Sequence, residues 1–578
     1  MPPLPLSDNL NLLWSSLIVA ELIKNGLDTF FISPGNRNAP LISALAHEDR
    51  ARKKVCVDER AAGYRALGHA KATGRPGVLV CTSGTAPANY YPAAIEGFRD
   101  EVPMMILSAD RPPELVGSDA NQTIVQPDLY GSYCRDSLFL PCPCADYPLE
   151  ALLAKIDYLV TAATGPVHVN CAFRDPLVPG LPDPQPIPKG LLEMAERLYS
   201  RSRPYTSYPA PETMIRDMDG IAAKIAATSR GLVVIGRLDG PEDIEALEWL
   251  VMTLGWPVFC DVASSMKGIL PATRQLFSLD HPEAIRLIAE YSPETILQFG
   301  SGLVSKHYYA TLLPQSEAEV IQICPRKGLR DPAHRVNSRI LVSGHAFVDA
   351  LNLQNDLSLD RVARLRLLGP METLYQLMET LFARKVLSFP GIAVDILAGI
   401  PDGEGLFLGN SLVIRAFDAV RSPFPRRISV ISNRGVSGIE GNIATSVGFA
   451  EASQRRVTAV IGDISFLHDL NSLLLLAGST TPVILVVINN GGGRIFERLP
   501  IRNFPEIIDP YMTTPHGMTF ERMAAQFDLP YFKAGTPGEL AHHYGQALKL
   551  ERSAILEVIL SPEEDLRTFA DMQQIRLP

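Results

Sequence analysis

The sequence predicts an α/β protein of three doubly wound parallel-sheet domains, and three observations carry that expectation. Short apolar runs bounded by glycine, proline, asparagine or aspartate alternate with helix-length amphipathic stretches, the pattern of parallel sheets covered by helices on both faces. The 578 residues exceed what one hydrophobic core holds. A proline-rich linker from Pro176 to about Pro211 and a less regular segment from about Asn352 to Met371 interrupt the alternation, so the expected domains are 1–185, 186–365 and 366–578.

The first third places strands at Thr29 to Ile32, Val55 to Val57, Gly77 to Cys81, Met104 to Ser108 and Val167 to Asn170, each a short apolar run of buried-strand length. The middle third opens with Gly231 to Gly236. An amphipathic helix from Glu242 to Leu254 follows, then strands at Val258 to Asp261, Thr295 to Phe299 and Glu319 to Ile323. Its Gly236-x-Leu238-x-Gly240 turn does not match the dinucleotide fingerprint, which argues against a nicotinamide role. The last third has strands at Leu406 to Gly409, Ile428 to Ser432, Thr458 to Gly462, Val483 to Asn489 and Ala554 to Leu560.

Composition excludes several classes of function. Hydrophobic content of 46% and charged content of 20% describe an ordinary globular protein. A net charge of -10 without a basic stripe argues against nucleic acid or an anionic membrane as partner. The N-terminal Met1-Pro2-Pro3-Leu4-Pro5-Leu6-Ser7-Asp8 lacks the pattern of a secretory signal, and no apolar run is long enough to span a bilayer, so a cytoplasmic protein is expected. Eight scattered cysteines, of which only Cys142 and Cys144 are close, read as reduced and mostly buried thiols. Among the histidines, His168 sits within a strand and reads as a core residue, His468 follows a Gly-Asp turn, and His542-His543 lie on an exposed helix; none forms a metal pair.

Chemistry concentrates between Val460 and Phe496. One apolar strand ends in Gly462-Asp463 and the next in Asn489-Asn490-Gly491-Gly492-Gly493, with Asp463 and Asn490 27 positions apart. Two strand ends joined by a helix-length crossover put both side chains on the carboxyl edge of a parallel sheet, where open α/β folds bind ligands. Oxygen donors from an aspartate, an asparagine and the Gly492 carbonyl suit a hard cation such as Mg²⁺ holding a diphosphate, and the glycines let phosphate approach the backbone. The bland alternative is a pair of ordinary strand-end turns.

This spacing resembles the thiamine diphosphate (ThDP) signature. A second feature agrees with it: the strand before Asp58 delivers Glu59 to the start of a helix running through Arg60-Ala61-Ala62-Gly63-Tyr64. ThDP chemistry needs a carboxylic acid that exchanges a proton with N1′ of the aminopyrimidine, and such proton transfer contributes about 10² to 10⁴ in rate. Taken alone, Glu59 would read as an acidic residue favouring a helix N-terminus.

Arginines narrow the family. Ser33-Pro34-Gly35-Asn36-Arg37-Asn38-Ala39-Pro40-Leu41, Asp110-Arg111-Pro112-Pro113-Glu114, Asn121-Gln122, Ser411 to Arg415 and Asn433-Arg434-Gly435-Val436-Ser437-Gly438-Ile439 all follow strands. Four arginines there exceed what a decarboxylase of neutral 2-oxo acids needs and suggest several substrate carboxylates, which the guanidinium fork pairs through two hydrogen bonds. Over essentially the whole chain this combination resembles the MenD family, the 2-succinyl-5-enolpyruvyl-6-hydroxy-3-cyclohexene-1-carboxylate synthases of menaquinone and phylloquinone biosynthesis. These are ThDP-dependent transferases of aldehyde or ketone residues, with the fold of ThDP-dependent decarboxylases: a pyrimidine-binding domain, a central domain and a diphosphate-binding domain.

The resemblance implies that the chain decarboxylates 2-oxoglutarate on ThDP and adds the resulting succinyl-semialdehyde carbanion to isochorismate in a 1,4-addition. It implies Glu59 as the cofactor-activating acid, and Asp463, Asn490 and the Gly492 carbonyl as ligands of Mg²⁺ or Mn²⁺. Gly462, Ile464, Ser465, Ile439 and Ile495 become further cofactor contacts, with Ile439 propping the cofactor in its bent form. Ser411 and Arg415 clamp the distal carboxylate of 2-oxoglutarate; Asn36, Arg37, Arg111, Gln122, Lys306 and Arg434 bind isochorismate; Ile495, Phe496 and Leu499 form an apolar wall. It also implies a homodimer at minimum, with the active site at the subunit interface and a dimer of dimers left open. The sequence departs from the family pattern at Asn36 and Asn38, where serines usually flank Arg37, and at His307, where a second basic residue is common. A ThDP-dependent 2-oxo acid decarboxylase, an acetohydroxyacid synthase and a catalytically inactive scaffold remain as alternatives; the four arginines weigh against the first two, and intact Glu59, Asp463 and Asn490 against the third.

Overall fold

In a computed structural model the protein is described over residues 4, 7–183, 186–209, 215–238, 240–351, 357–382 and 386–577. Three six-stranded sheets form. The first holds β1 (Thr29–Ser33), β2 (Arg52–Val55), β3 (Gly77–Cys81), β4 (Met104–Asp110), β5 (Ser137–Leu140) and β6 (Pro166–Ala172) in the order β2-β1-β3-β4-β6-β5. The second holds β7 (Gly231–Ile235), β8 (Val258–Cys260), β9 (Gln275–Leu276), β10 (Thr295–Phe299), β11 (Glu319–Ile323) and β12 (Val336–Ile340) in the order β12-β11-β10-β7-β8-β9. The third holds β13 (Gly405–Leu408), β14 (Ser429–Ile431), β15 (Val457–Gly462), β16 (Val483–Asn489), β17 (Tyr531–Ala534) and β18 (Ala554–Ile559) in the order β14-β13-β15-β16-β18-β17. Neighbouring strands run parallel, with Phe30 beside Val78 and Ile484 beside Ala554.

The first and third sheets share one winding. In each the chain steps outward after its first strand and then crosses to that strand's other side, so the order reverses between β1 and β3 and between β13 and β15. Ligands of open α/β sheets bind beyond the carboxyl ends at such reversals. The second sheet reverses between β7 and β10, as dinucleotide-binding sheets do. Its first turn is filled by its own chain: Arg237 bridges Ser301, and a Cβ on Gly236 would lie 2.5 Å from the Ser301 carbonyl oxygen.

By internal packing the chain divides into two compact units. One comprises Met1–Pro211, Asn433–Gln454 and His468–Val483 and carries the first sheet; the other comprises Glu212–Ser432, Arg455–Leu467 and Ile484–Pro578 and carries the second and third. In the first unit, Leu13, Leu17, Ile18 and Leu22 of helix Leu10–Lys24 pack with strand residues such as Phe30, Val78 and Leu107. In the second, a continuous core joins Leu232 and Ile296 to Leu406, Val460 and Val486.

Within the first unit, helix Glu59–Thr73 lies against helix Asn442–Ser453 so closely that side chains are excluded. A Cβ on Gly68 would sit 2.1 Å from the Thr445 carbonyl oxygen, and one on Gly448 would sit 2.0 Å from that of Arg65. Arg65 and Glu451, both buried, close the seam at 2.7 Å. Gly448→Ala should therefore force the helices apart and cost about 1–3 kcal/mol. An unchanged midpoint in chemical denaturation would contradict that close packing.

Several expected elements shift. The strand expected at Val55 to Val57 is instead β2, Arg52–Val55, at a sheet edge where Val55 and Val57 face solvent. The expected linker contains helix Lys189–Tyr199, which buries Ala195, Leu198 and Tyr199. The segment expected to be irregular up to Met371 enters helix Arg361–Phe382, which buries Leu367, Met371, Leu374 and Met378 and accommodates Pro370 internally. The remainder of these two expected segments at residues 184–185, 210–211 and 352–356, and most of the N-terminus at residues 1–3 and 5–6, lie outside the described residues. Among the described helices none is long and apolar enough to cross a membrane. Five cysteines are buried and Cys144 is exposed; all eight are free thiols. His168 is a core residue, its Nε2 2.7 Å from Ser108 Oγ, and burial pushes its pKa down to about 3.

Candidate functional site

In the second unit, β15 ends at Gly462 and puts Asp463 at the first position of helix Asp463–His468, while β16 ends at Asn489 beside it. Asp463 is buried and organises the glycine turn. Its Oδ1 accepts from the Ile464 amide (2.7 Å), and its Oδ2 accepts from the amides of Asn490 (3.1 Å) and Gly492 (2.9 Å). The two asparagines divide the work. Asn489 folds the turn, donating to Glu557 (2.6 Å) and the Met518 carbonyl (2.9 Å) and accepting from the Gly491 amide (3.2 Å). Asn490 turns inward: with its amide nitrogen toward them it donates to the Gly492 carbonyl oxygen (2.9 Å) and to Asp463 Oδ2 (3.2 Å).

The predicted ligand set of Asp463, Asn490 and Gly492 is thus gathered within hydrogen-bond reach of one point. Gly491 and Gly492 have φ of 72° and 142°, and a Cβ on Gly492 would meet the Thr513 carbonyl oxygen at 2.4 Å. Only glycine fits that turn. One carboxylate, one carbonyl and the Asn490 carboxamide, whose oxygen would take the place of its nitrogen at that point once a cation is bound, fit the oxygen chemistry of a hard cation.

Sequence reasoning missed His516, whose Nε2 lies 3.3 Å from Asp463 Oδ2 and whose amide bonds the Gly491 carbonyl (3.3 Å). No short-range pattern marks it, because it arrives from a loop that folds back over the glycine turn. Burial raises the Asp463 pKa, against the pull of the three amides and His516. Ser465 is buried on the same helix, and Ile464, Ile495 and Phe496 are half-buried. Leu499 is exposed.

At the end of β13, Ser411 adopts a positive φ of 67° and starts helix Leu412–Ala419; Arg415, exposed one turn later, donates to the Ser411 carbonyl oxygen at 2.6 Å. Lys306 is exposed just before the π-helical turn Tyr308–Leu312, and His307 is half-buried beside it.

In the first unit, Asp58 caps helix Glu59–Thr73, its Oδ1 accepting from the amides of Arg60 (2.8 Å) and Ala61 (3.3 Å). Glu59 is the first helical residue, half-buried, and the capping function belongs to its neighbour. Arg37 is buried after β1; its Nη1 donates to the Phe173 carbonyl oxygen (2.9 Å) and lies 3.6 Å from exposed Asp175. Burial and then the charge of Arg111 push the Arg37 pKa down, so the two guanidinium groups oppose each other electrostatically.

Asn38 is spent inside this loop, accepting from the Gly35 amide (3.0 Å) and donating to the Ser33 carbonyl (3.1 Å), while Asn36 is exposed. Gln122, at φ 59°, lies over Gly84, where a Cβ would meet its Cγ at 2.8 Å. Arg434 and Ile439 flank a turn whose Gly435 and Val436 amides bond buried Glu96 at 2.7 and 2.8 Å, another contact sequence reasoning missed.

Residues 14–129 match the N-terminal TPP-binding domain of thiamine pyrophosphate enzymes, 192–379 the middle domain of thiamine pyrophosphate enzymes, and 416–558 the C-terminal TPP-binding domain. A 2-succinyl-5-enolpyruvyl-6-hydroxy-3-cyclohexene-1-carboxylate synthase from Syntrophus aciditrophicus is 74% identical, covering 100% of both chains. Proteins of the same name from Chlorobaculum tepidum and Rubrobacter xylanophilus are each 36% identical over 97% of this chain, covering 96% and 98% of their own lengths. With three TPP-enzyme domains in order and full-length relatives at this identity, the chain belongs to the 2-succinyl-5-enolpyruvyl-6-hydroxy-3-cyclohexene-1-carboxylate synthase family of ThDP-dependent enzymes.

Proposed function

We propose that the protein joins 2-oxoglutarate to isochorismate with loss of CO₂, forming 2-succinyl-5-enolpyruvyl-6-hydroxy-3-cyclohexene-1-carboxylate for menaquinone or phylloquinone biosynthesis. The observation that carries the substrate assignment is that Arg37 and Arg111 each hold a buried Nε with no hydrogen-bond partner, while Asp175, the carboxylate nearest Arg37, lies exposed at 3.6 Å. Two cations held against their mutual repulsion at the carboxyl edge of the first sheet favour a bound anion.

ThDP, when bound, supplies the electron sink on which a 2-oxo acid loses CO₂. Asp463, Asn490 and the Gly492 carbonyl would hold the Mg²⁺ or Mn²⁺ that anchors its diphosphate, with Gly462, Ile464 and Ser465 in the same strand-end segment. Glu59 holds a proton at N1′ of the aminopyrimidine, and Ile439 and Ile495 brace the cofactor. Ser411 and Arg415 receive the distal carboxylate of 2-oxoglutarate. Asn36, Arg37, Arg111, Gln122, Lys306 and Arg434 receive isochorismate, with Asn36 rather than Asn38 offering its amide, because Asn38 is already committed to its loop. Phe496 and Leu499 exclude water from the reacting carbon. The same reading makes the protein a cytoplasmic homodimer or dimer of dimers, in which Glu59 of one copy serves the cofactor held by its partner.

Separating the two half-reactions tests this division. Arg415→Ala should slow single-turnover decarboxylation of 2-oxoglutarate roughly 30-fold or more, while Arg37→Ala should spare that step and impair addition to isochorismate by a similar factor. Equal damage to the first step by both variants would refute the division. No damage by either would favour an enzyme of neutral 2-oxo acids.

A further inference from the structure

Asp261, Lys267 and Asp418 form a buried charged cluster in the second unit that none of these roles uses. They are 0%, 9% and 3% exposed. Asp261 follows β8; its Oδ1 accepts from the Ala263 amide (2.9 Å) and its Oδ2 from the Val304 amide (2.6 Å). Asp418 Oδ1 accepts from the Val262 amide (2.8 Å) and lies 3.3 Å from Lys267 Nζ, which also donates to the Asp418 backbone carbonyl. Consecutive amides, those of Val262 and Ala263, therefore seat two carboxylates side by side with one ammonium. Asp280, bonded by Ser305 Oγ at 2.5 Å, adds further negative charge toward Asp418. Burial and the Asp418 charge push the Asp261 pKa up.

Such a cluster is expensive to bury and holds its geometry only while every partner is present. Its outward connections lead to substrate-binding segments. Val304 lies two residues before Lys306, and Asp418 lies on helix Leu412–Ala419, one turn beyond Arg415 and on the helix that Ser411 begins. We propose that Asp261 and Asp418 are positioning residues: Asp261 fixes the turn that presents Lys306, and Asp418, with Lys267, fixes the helix that presents Ser411 and Arg415. The inference rests on the substrate roles of Lys306, Ser411 and Arg415 given above.

Two variants separate positioning from general structural support. Asp261→Asn keeps the shape but has one acceptor oxygen for two amides, so Val304 or Ala263 loses its partner. It should raise KM for isochorismate about tenfold, about 1.4 kcal/mol, and leave single-turnover decarboxylation of 2-oxoglutarate within about twofold. Asp418→Asn combined with Lys267→Met removes both charges of the pair, so neither member of that ion pair is left buried without the other. It should raise KM for 2-oxoglutarate about tenfold with a smaller effect on isochorismate.

Melting temperatures measured alongside identify loss of fold, and either variant alone reads its own substrate. A lowered melting temperature with both KM values unchanged, or equal rises for both substrates, would overturn the inference while leaving the functional reading intact. A wild-type protein that forms no product would overturn the functional reading, and this inference with it.

Discussion

Replacing Asp463 by alanine should abolish activity by removing the metal-bridged diphosphate anchor. Its carboxylate serves two ends: it would contribute the only charged ligand of the set, and it satisfies the amides of Ile464, Asn490 and Gly492 that shape the turn. Alanine deletes the charge and leaves three amides without their acceptor. We expect affinity for ThDP in the presence of Mg²⁺ to fall at least about a hundredfold, or about 2.7 kcal/mol, with turnover falling in parallel. Asp463→Asn keeps one acceptor oxygen and should fall between alanine and wild type. Calorimetric titration decides the matter, and unchanged affinity for both cofactor and metal would show that the diphosphate sits elsewhere.

Glu59→Gln should lose about 10² to 10⁴ in rate while still binding ThDP, because the proposed anchor is in another domain. The structure sharpens this expectation. Asp58 makes the capping hydrogen bonds of helix Glu59–Thr73, so the acid at position 59 is not required to start the helix and its replacement should leave stability nearly unchanged. Exchange of the cofactor C2 proton, followed by NMR, should slow by the same factor as turnover. Wild-type exchange in the variant would remove Glu59 from the activation step.

What could be read from the chain alone follows from where each element sits. Central strands such as β3 and β16 are buried on both faces and appear as apolar runs whose limits match the structure, and β10 and β11, each apolar but for one buried glutamine inside the strand and a polar first residue, are matched as well. The strands that escaped notice, β5, β9, β12 and β17, all lie at or beside sheet edges as outermost members. β5, β12 and β17 are partly exposed and mixed in polarity, and β9 is two residues long. Edge strands need less apolar surface, so their sequence signal is weak.

The site divides similarly. Asp463, Asn490 and Gly492 were legible because one crossover brings them together at a fixed spacing. His516 and Glu96 were not, since each reaches its partner through a loop contact that no local pattern encodes. The Asp261 and Asp418 pair depends on a seam between elements far apart in sequence and looks like two unrelated strand-end and helix residues until the amides of Val262 and Ala263 align them. Asn38, where the sequence departs from the family pattern beside Arg37, spends its side chain on closing its own loop, a role that its position alone does not reveal.

The central claim is that this chain couples two polycarboxylate substrates rather than processing a neutral 2-oxo acid. Purified protein with ThDP and Mg²⁺ should be incubated with isochorismate and either 2-oxoglutarate or pyruvate, and the products followed by mass. The account predicts the 2-succinyl-5-enolpyruvyl-6-hydroxy-3-cyclohexene-1-carboxylate adduct with 2-oxoglutarate, and at least about a hundredfold lower kcat/KM with pyruvate, which offers Arg415 no distal carboxylate. Efficient turnover of pyruvate, or release of CO₂ from 2-oxoglutarate with no adduct to isochorismate, would contradict it.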